Sequence, residues 1–177
     1  MTILRTSLIG GLKERKAKLK QGSQIGFGES IVFNNTLTIR KGERTRKVKL
    51  AERVFPRQPD KALSQFLLIS ELARLNRINK LSLQLPITIR LGNKNGKKRI
   101  LMTKFDTIPE INFKHFMTKA ESEAIRREFA QDRAIQIQKA EENGFILPID
   151  AFVPARNKSE KVFAAIVKFE GIKRIKQ

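Results

Sequence analysis

Cysteine, tyrosine and tryptophan are all absent from the 177 residues, and there is a single histidine. Without cysteine there is no disulfide framework and no thiolate metal site. His115 has no second imidazole to share a zinc ion, so a metal would have to rest mostly on carboxylates. No resident metal or cofactor is therefore expected. Twelve phenylalanines supply all the aromatic surface. That is little for base stacking, although Phe27, Phe33, Phe113 and Phe116 could each serve. No run approaches the ~18 apolar residues of a membrane span. The opening stretch MTILRTSLIGG is broken by Arg5 and lacks the compact apolar centre of a secretory leader. The expected setting is the inside of a cell, cytoplasmic or nucleoid-associated, or the inside of a virion, with no membrane partner and no secretion.

Acidic residues are also scarce. There are 17 against 37 lysines and arginines, a net charge of +20. Solubility of a small domain needs a net charge of only roughly 2–8. Excess self-repulsion costs stability unless an anion neutralises it. A polyanion, nucleic acid above all, is the partner this composition implies. The excess is uneven. Residues 1–53 carry +9 and residues 81–117 carry +5, whereas residues 118–143 carry −1.

The chain is long enough for one cored domain. The sequence reads as α+β: a basic arm over 1–21 and a single domain over 22–177, with a sub-boundary at 55–60. The arm turns helical after Gly10-Gly11 and displays Lys13, Arg15, Lys16, Lys18 and Lys20. GSQIGFGES, 22–30, is a loop, and its glycines lack the spacing of a phosphate-binding motif. A three-stranded meander follows. Ile31 and Phe33 end at a turn on Asn34-Asn35, then come Leu37 and Ile39, then Val48 and Leu50 after Lys41-Gly42-Glu43. Its alternation gives one apolar face and one face with Thr38, Arg40, Lys47 and Lys49.

After FPRQP, Asp60 caps a central buried helix running to about residue 79, with Leu63, Phe66, Leu67, Ile69 and Leu72 inward. A long hairpin comes next, over 81–105. Leu81, Leu83, Leu85, Ile87, Ile89 and Leu91 fill one face, and Pro86, on the opposite face, points to an edge strand or a bulge. Its tip turns on Asn95-Gly96 and carries Lys94, Lys97, Lys98 and Arg99. The four charges gain nothing from folding and would reach for a polyanion.

Thr118 and Glu121 form a capping box for a surface helix over 118–143, stopped by Gly144. Its apolar stripe is Ala124, Ile125, Phe129 and either Ala134 or Ile135. Near-neutral in charge, it is suited to protein subunits of a larger assembly. KVFAAIVKFEGIKRIK favours a strand with a turn near Glu170-Gly171, and a helix capped by Ser159 is the competing reading. The chain ends in a basic tail with Lys173, Arg174 and Lys176.

No catalytic motif emerges. Asp106, Glu110 and Lys114 fit the carboxylate–lysine spacing of metal-dependent nucleases poorly, and Pro109 interrupts them. The expected function is non-catalytic binding to RNA or DNA inside a nucleoprotein assembly, through phosphate contacts from arm, meander face, hairpin tip and tail. Two alternatives stand beside it. One is a structural protein of a virion or other large shell whose basic arm holds neighbouring subunits. The other is a metal-dependent nuclease.

Overall fold

Lysine occupies every second position from 16 to 20, with Ala17 and Leu19 between. A period of two suits a strand with two unlike faces, and in the computed structural model this segment is a strand. The structure describes residues 3–4, 16–26, 30–41, 43–94, 96–109 and 116–175. The fold is α+β with antiparallel sheets. The chain divides into two compact units, residues 1–66 with 88–104, and residues 67–87 with 105–177. The expected sub-boundary at 55–60 falls inside the first.

The first unit holds a six-stranded sheet in the order β1-β2-β3-β4-β6-β5. The strands are β1 (Ile3–Leu4), β2 (Lys16–Gly26), β3 (Ile31–Lys41), β4 (Arg44–Phe55), β5 (Thr88–Lys94) and β6 (Lys97–Thr103). Three expectations are corrected here. Residues 16–20 are not a helical arm: they pair with β3, from Lys16 opposite Arg40 to Lys20 opposite Thr36. The meander's third strand is thus β2. Asn34-Asn35 is no turn, since β3 runs straight through it. A buried network absorbs the polar side chain: Asn35 Nδ2 donates to Glu52 Oε2 at 2.7 Å, and its Oδ1 accepts from the Gly22 N–H at 3.3 Å. The expected loop at 22–30 instead begins as strand, with register shifts after Gln21 and Gln24. At position 22 a Cβ would sit 2.0 Å from the Asn34 carbonyl oxygen, so only glycine fits.

The core of this unit gathers Leu50, Phe55, Ala62, Ile100, Leu101 and Met102. Helix α1 (Pro59–Ile78) begins here and ends in the second unit. Arg53, buried on β4, donates through Nε to Ser30 Oγ at 3.1 Å and through a terminal nitrogen to Gln65 Oε1 at 3.3 Å. This bond ties the first turns of α1 to the sheet. Pro59 opens the helix, so Asp60 stands in the first turn and not at the cap. The hydrophobic residues of α1 do not all point inward: Leu72 is 1% exposed, but Leu63 and Leu67 are 48% and 57% exposed.

In the second unit, the expected strand from Leu81 does not form. Residues 81–87 make no ladder, and Lys80 and Ser82 sit at φ +49° and +62°, outside any strand geometry. Their backbone is satisfied otherwise. Asn76 takes both polar groups of Leu83, each at 2.8 Å, and Gln136 Oε1 accepts from the Gln84 N–H at 2.9 Å. Leu81 and Leu83 are buried all the same. Pro86 is buried too, where the sequence suggested an exposed edge.

Helix α2 (Lys119–Glu141) packs on β9 (Phe152–Arg156) and β10 (Val162–Ile166), which pair antiparallel, with β7 (Asp106–Thr107) beyond β9. Ile108, Ile125 and Val162 form the contact, flanked by Met117 and Phe129. Further along α2 the inward residue is Gln136, not Ala134 or Ile135. It donates to the Ala164 carbonyl at 2.8 Å, while Asp132 accepts from the Ala164 N–H at 2.7 Å. Both polar groups of Ala164 on the open edge of β10 are thereby met by side chains, and the Ile166 N–H donates to the Gln84 carbonyl at 3.0 Å. The C-terminal strand reading holds, with Gly171 at φ +85° in the turn before β11 (Lys173–Arg174), which pairs with β8 (Phe145–Ile146).

The capping box of α2 is present. Glu121 N–H donates to Thr118 Oγ1 at 3.2 Å, and Thr118 N–H donates to Glu121 Oε2 at 2.8 Å. The Thr118 backbone bond, and then its hydroxyl, hold the Glu121 carboxyl below its ordinary range. A depressed carboxyl contributes stability above its unfolded-state pKa and loses it as pH falls through the folded value. Glu121→Ala should therefore lower the melting temperature at pH 7, and the gap to the wild type should narrow as pH drops below about 4. Melting curves recorded from pH 7 to pH 3 test this, and a gap constant across that range would count against it.

Candidate nucleic-acid interface

The size of the positive excess separates the two units. Residues 1–66 and 88–104 hold 21 basic and 5 acidic side chains, net +16, against 16 and 12, net +4, in the other unit. Within the first unit, the ends of β2, β3 and β4 form a ribbon, with the two residues of β1 pairing beyond β2 at Ala17 and Lys18. Residues 44–47 and 49 of β4 are exposed whichever way they point.

Residues paired across an antiparallel ladder share a face. The printed registers therefore sort the ribbon. Lys18 stands opposite Thr38, which stands opposite Lys47. Lys20 stands opposite Thr36, which stands opposite Lys49. Lys16 takes the position opposite Arg40, and Arg40 pairs with Thr45. All these positions lie on one face, and none is acidic. Lys18, Lys20, Arg40, Lys47 and Lys49 are exposed, while Thr36 and Thr38 between them are half-buried. The other face carries Ala17, Leu19, Leu37, Ile39 and Val48, all half-buried, and Arg46. Glu43, in the turn before β4, is the ribbon's acid.

The face has relief as well as charge. Strands β2 and β4 lie about 10 Å apart across β3, and successive same-face residues are about 6.7 Å apart along a strand. Long lysines stand on the two flanking strands and short threonines line the middle. The result is a trough walled by ammonium groups and floored by hydroxyls, with Arg40 at one end. Each hydroxyl can donate one hydrogen bond and each ammonium three. Such groups suit phosphate oxygens and, Arg40 apart, offer no planar fork for base edges.

The structure brings Lys18 and Lys20, assigned from sequence to an arm, onto one surface with Arg40, Lys47 and Lys49 of the meander. Thr36 and Thr45 were not singled out from sequence; Thr36 shares Thr38's two-residue period, the signal that could have found it. Lys13 and Arg15 lie outside the described residues. The hairpin tip is present: Lys94 pairs with Lys97, and Gly96 turns at φ +74°. Lys97 is exposed and Lys98 half-buried. Arg99 departs from the sequence reading. Its guanidinium donates to Glu52 Oε1 at 2.6 Å and is 18% exposed, so it serves the sheet. Gly92, its ladder partner, leaves it room: a Cβ there would lie 3.3 Å from Arg99 Nε. In the second unit, Lys173 is exposed and Arg174 pairs with Glu71 at 3.2 Å. Lys176 lies outside the described residues, as do Glu110, Lys114 and His115.

Among the described residues no group of three or more His, Asp or Glu could hold a metal ion, and no helix is long and apolar enough to cross a membrane. Comparison with protein-family models and with curated proteins finds no match.

Proposed function

We propose that the protein binds nucleic acid without catalysis, as a component of a larger nucleoprotein assembly. The observation that carries this reading is the ribbon face, where cations from three strands share one surface with threonines and no acid. A solvated surface needs no such segregation, since like charges side by side repel. With no stacking ring on that face, and Arg40 as a single guanidinium at the end of a row of ammonium and hydroxyl groups, binding is mainly through the backbone and largely sequence-independent.

Such binding releases counterions. Log affinity should fall linearly with log salt, by roughly 0.7 per phosphate neutralised on a single strand and 0.9 on a duplex. Titrating the protein against fluorescent oligonucleotides from about 50 to 300 mM salt should give a slope steeper than about −2, similar for unrelated sequences. A flat response, or a loss confined to one sequence, would remove this reading.

A further inference from the structure

The registers on the ribbon face do more than collect charge. Lys18–Thr38–Lys47 and Lys20–Thr36–Lys49 are two rungs of identical chemistry, each an ammonium, a hydroxyl and an ammonium, on adjacent same-face positions. A third row, Lys16–Arg40–Thr45, follows in the same direction with the lysine kept on β2, the second cation on the middle strand and the hydroxyl on β4. We infer that a single phosphodiester strand lies along β3 between the lysine walls, with one phosphate on each rung. This rests on the proposed nucleic-acid binding and specifies its geometry.

The relief favours a strand lying lengthwise over one lying across the ribbon. Running along β3, successive phosphates meet the same three groups at about 6.7 Å intervals. Running across, a strand would meet a lysine, then a threonine, then a lysine, and its middle phosphate would lack a cation. The hydroxyls contribute because they are fixed: Thr36 and Thr38 are half-buried on the central strand and β-branched, with few rotamers to lose. The strand is either a free single strand or one strand of a duplex laid against the face. The phosphodiester chemistry is the same in both.

The test compares two pairs of substitutions that remove equal charge. Lys18→Gln with Lys47→Gln empties one rung. Lys18→Gln with Lys49→Gln leaves one lysine on each of two rungs. All three side chains are exposed, and circular dichroism confirms folding of each variant. The probes are an oligothymidylate of about 20 nucleotides and a duplex of about 20 base pairs, each titrated with salt.

The within-rung pair should shrink the salt slope by about one phosphate, 0.7 on the single strand or 0.9 on the duplex, and the split pair should shrink it by clearly less. Thr38→Val, which keeps shape and β-propensity, should weaken binding several-fold at unchanged slope. A difference between the pairs on the oligothymidylate alone identifies a free single strand as the ligand, and a difference on the duplex identifies one strand of a duplex. Equal slopes for the two pairs on both probes, with wild-type binding intact, would overturn the rung arrangement while leaving nucleic-acid binding standing. Absence of salt-dependent binding by the wild type would overturn both.

Discussion

Glu52→Ala should destabilise the first unit by about 3–5 kcal/mol, the cost of stripping one partner from a buried ion pair. Glu52 is 4% exposed, and both of its oxygens are used. Oε1 accepts from Arg99 at 2.6 Å and Oε2 from Asn35 at 2.7 Å. Removing the carboxylate leaves a largely buried guanidinium without a counter-charge. It also leaves a buried amide donor on Asn35 unmet, and an unmet donor costs about 1–3 kcal/mol. The network crosses β3, β4 and β6, so the loss falls on the sheet that carries the ribbon. Glu52→Gln keeps the shape but not the charge and should lie between. Replacing Glu52 and Arg99 together with leucine should recover much of the loss, since the charge and its partner then leave together. Urea unfolding of the four proteins measures this. A loss under about 1 kcal/mol for Glu52→Ala would mean that water, not protein, satisfies Arg99.

That network also shows where the sequence stopped being legible. Asn34-Asn35 looks like a turn because asparagine tolerates turn geometry. Nothing nearby in sequence says that Asn35 will meet Glu52, 17 residues on, or the amide of Gly22. Residues 16–20 are similar. With only Ala17, Leu19 and three lysines, the segment's period of two is a short and weak strand signal, and the strand is fixed by pairing with β3 some 20 residues away. The alternation from Leu81 misled for another reason. Period two reports which side chains are buried, and it does so for Leu81 and Leu83 but inverts at Pro86, which is buried, and Ile87, which is exposed. But the backbone there bonds to Asn76 and Gln136, not to a neighbouring strand. In α1, the apolar residues cover more of the circumference than the packing uses, so Leu67 faces water.

Local signals fared better. The Thr118–Glu121 box starts α2, and Gly144 follows it at φ +82°, where a left-handed residue favours glycine. The candidate site divides the same way. The grouping of Thr38 and Arg40 with Lys47 and Lys49 was readable because β3 and β4 are joined by a tight turn. Adding Lys18 and Lys20 required a pairing that spans the 22–30 segment. Arg99 was misassigned because its partner, Glu52, lies 47 residues away.

Neutralising the ribbon face should separate binding from folding. Changing Lys18, Lys20, Arg40, Lys47 and Lys49 together to glutamine removes five exposed cations from one face, and like-charge repulsion with them. Thermal stability should hold or rise slightly. Binding to an oligonucleotide at about 0.1 M salt should weaken by roughly a hundredfold or more, with most of the salt slope gone, because the phosphates on that face lose their counter-charges together. The comparison is Lys97→Gln with Lys98→Gln at the hairpin tip. Arg99 must be kept there, because its loss would release Glu52 and damage the sheet. If the ribbon is the main surface, the tip variant should cost a few-fold at most and leave the slope nearly intact. The reverse ranking, a severe loss from the tip and a mild one from the ribbon, would move the interface to the hairpin. Equal losses per charge would mean that neither surface is organised and that binding follows net charge alone. The five ribbon cations occupy adjacent register positions on one face, whereas Lys97 and Lys98 point to opposite faces of β6. Two charges on opposite faces cannot hold the same strand of phosphates, so the ribbon should dominate.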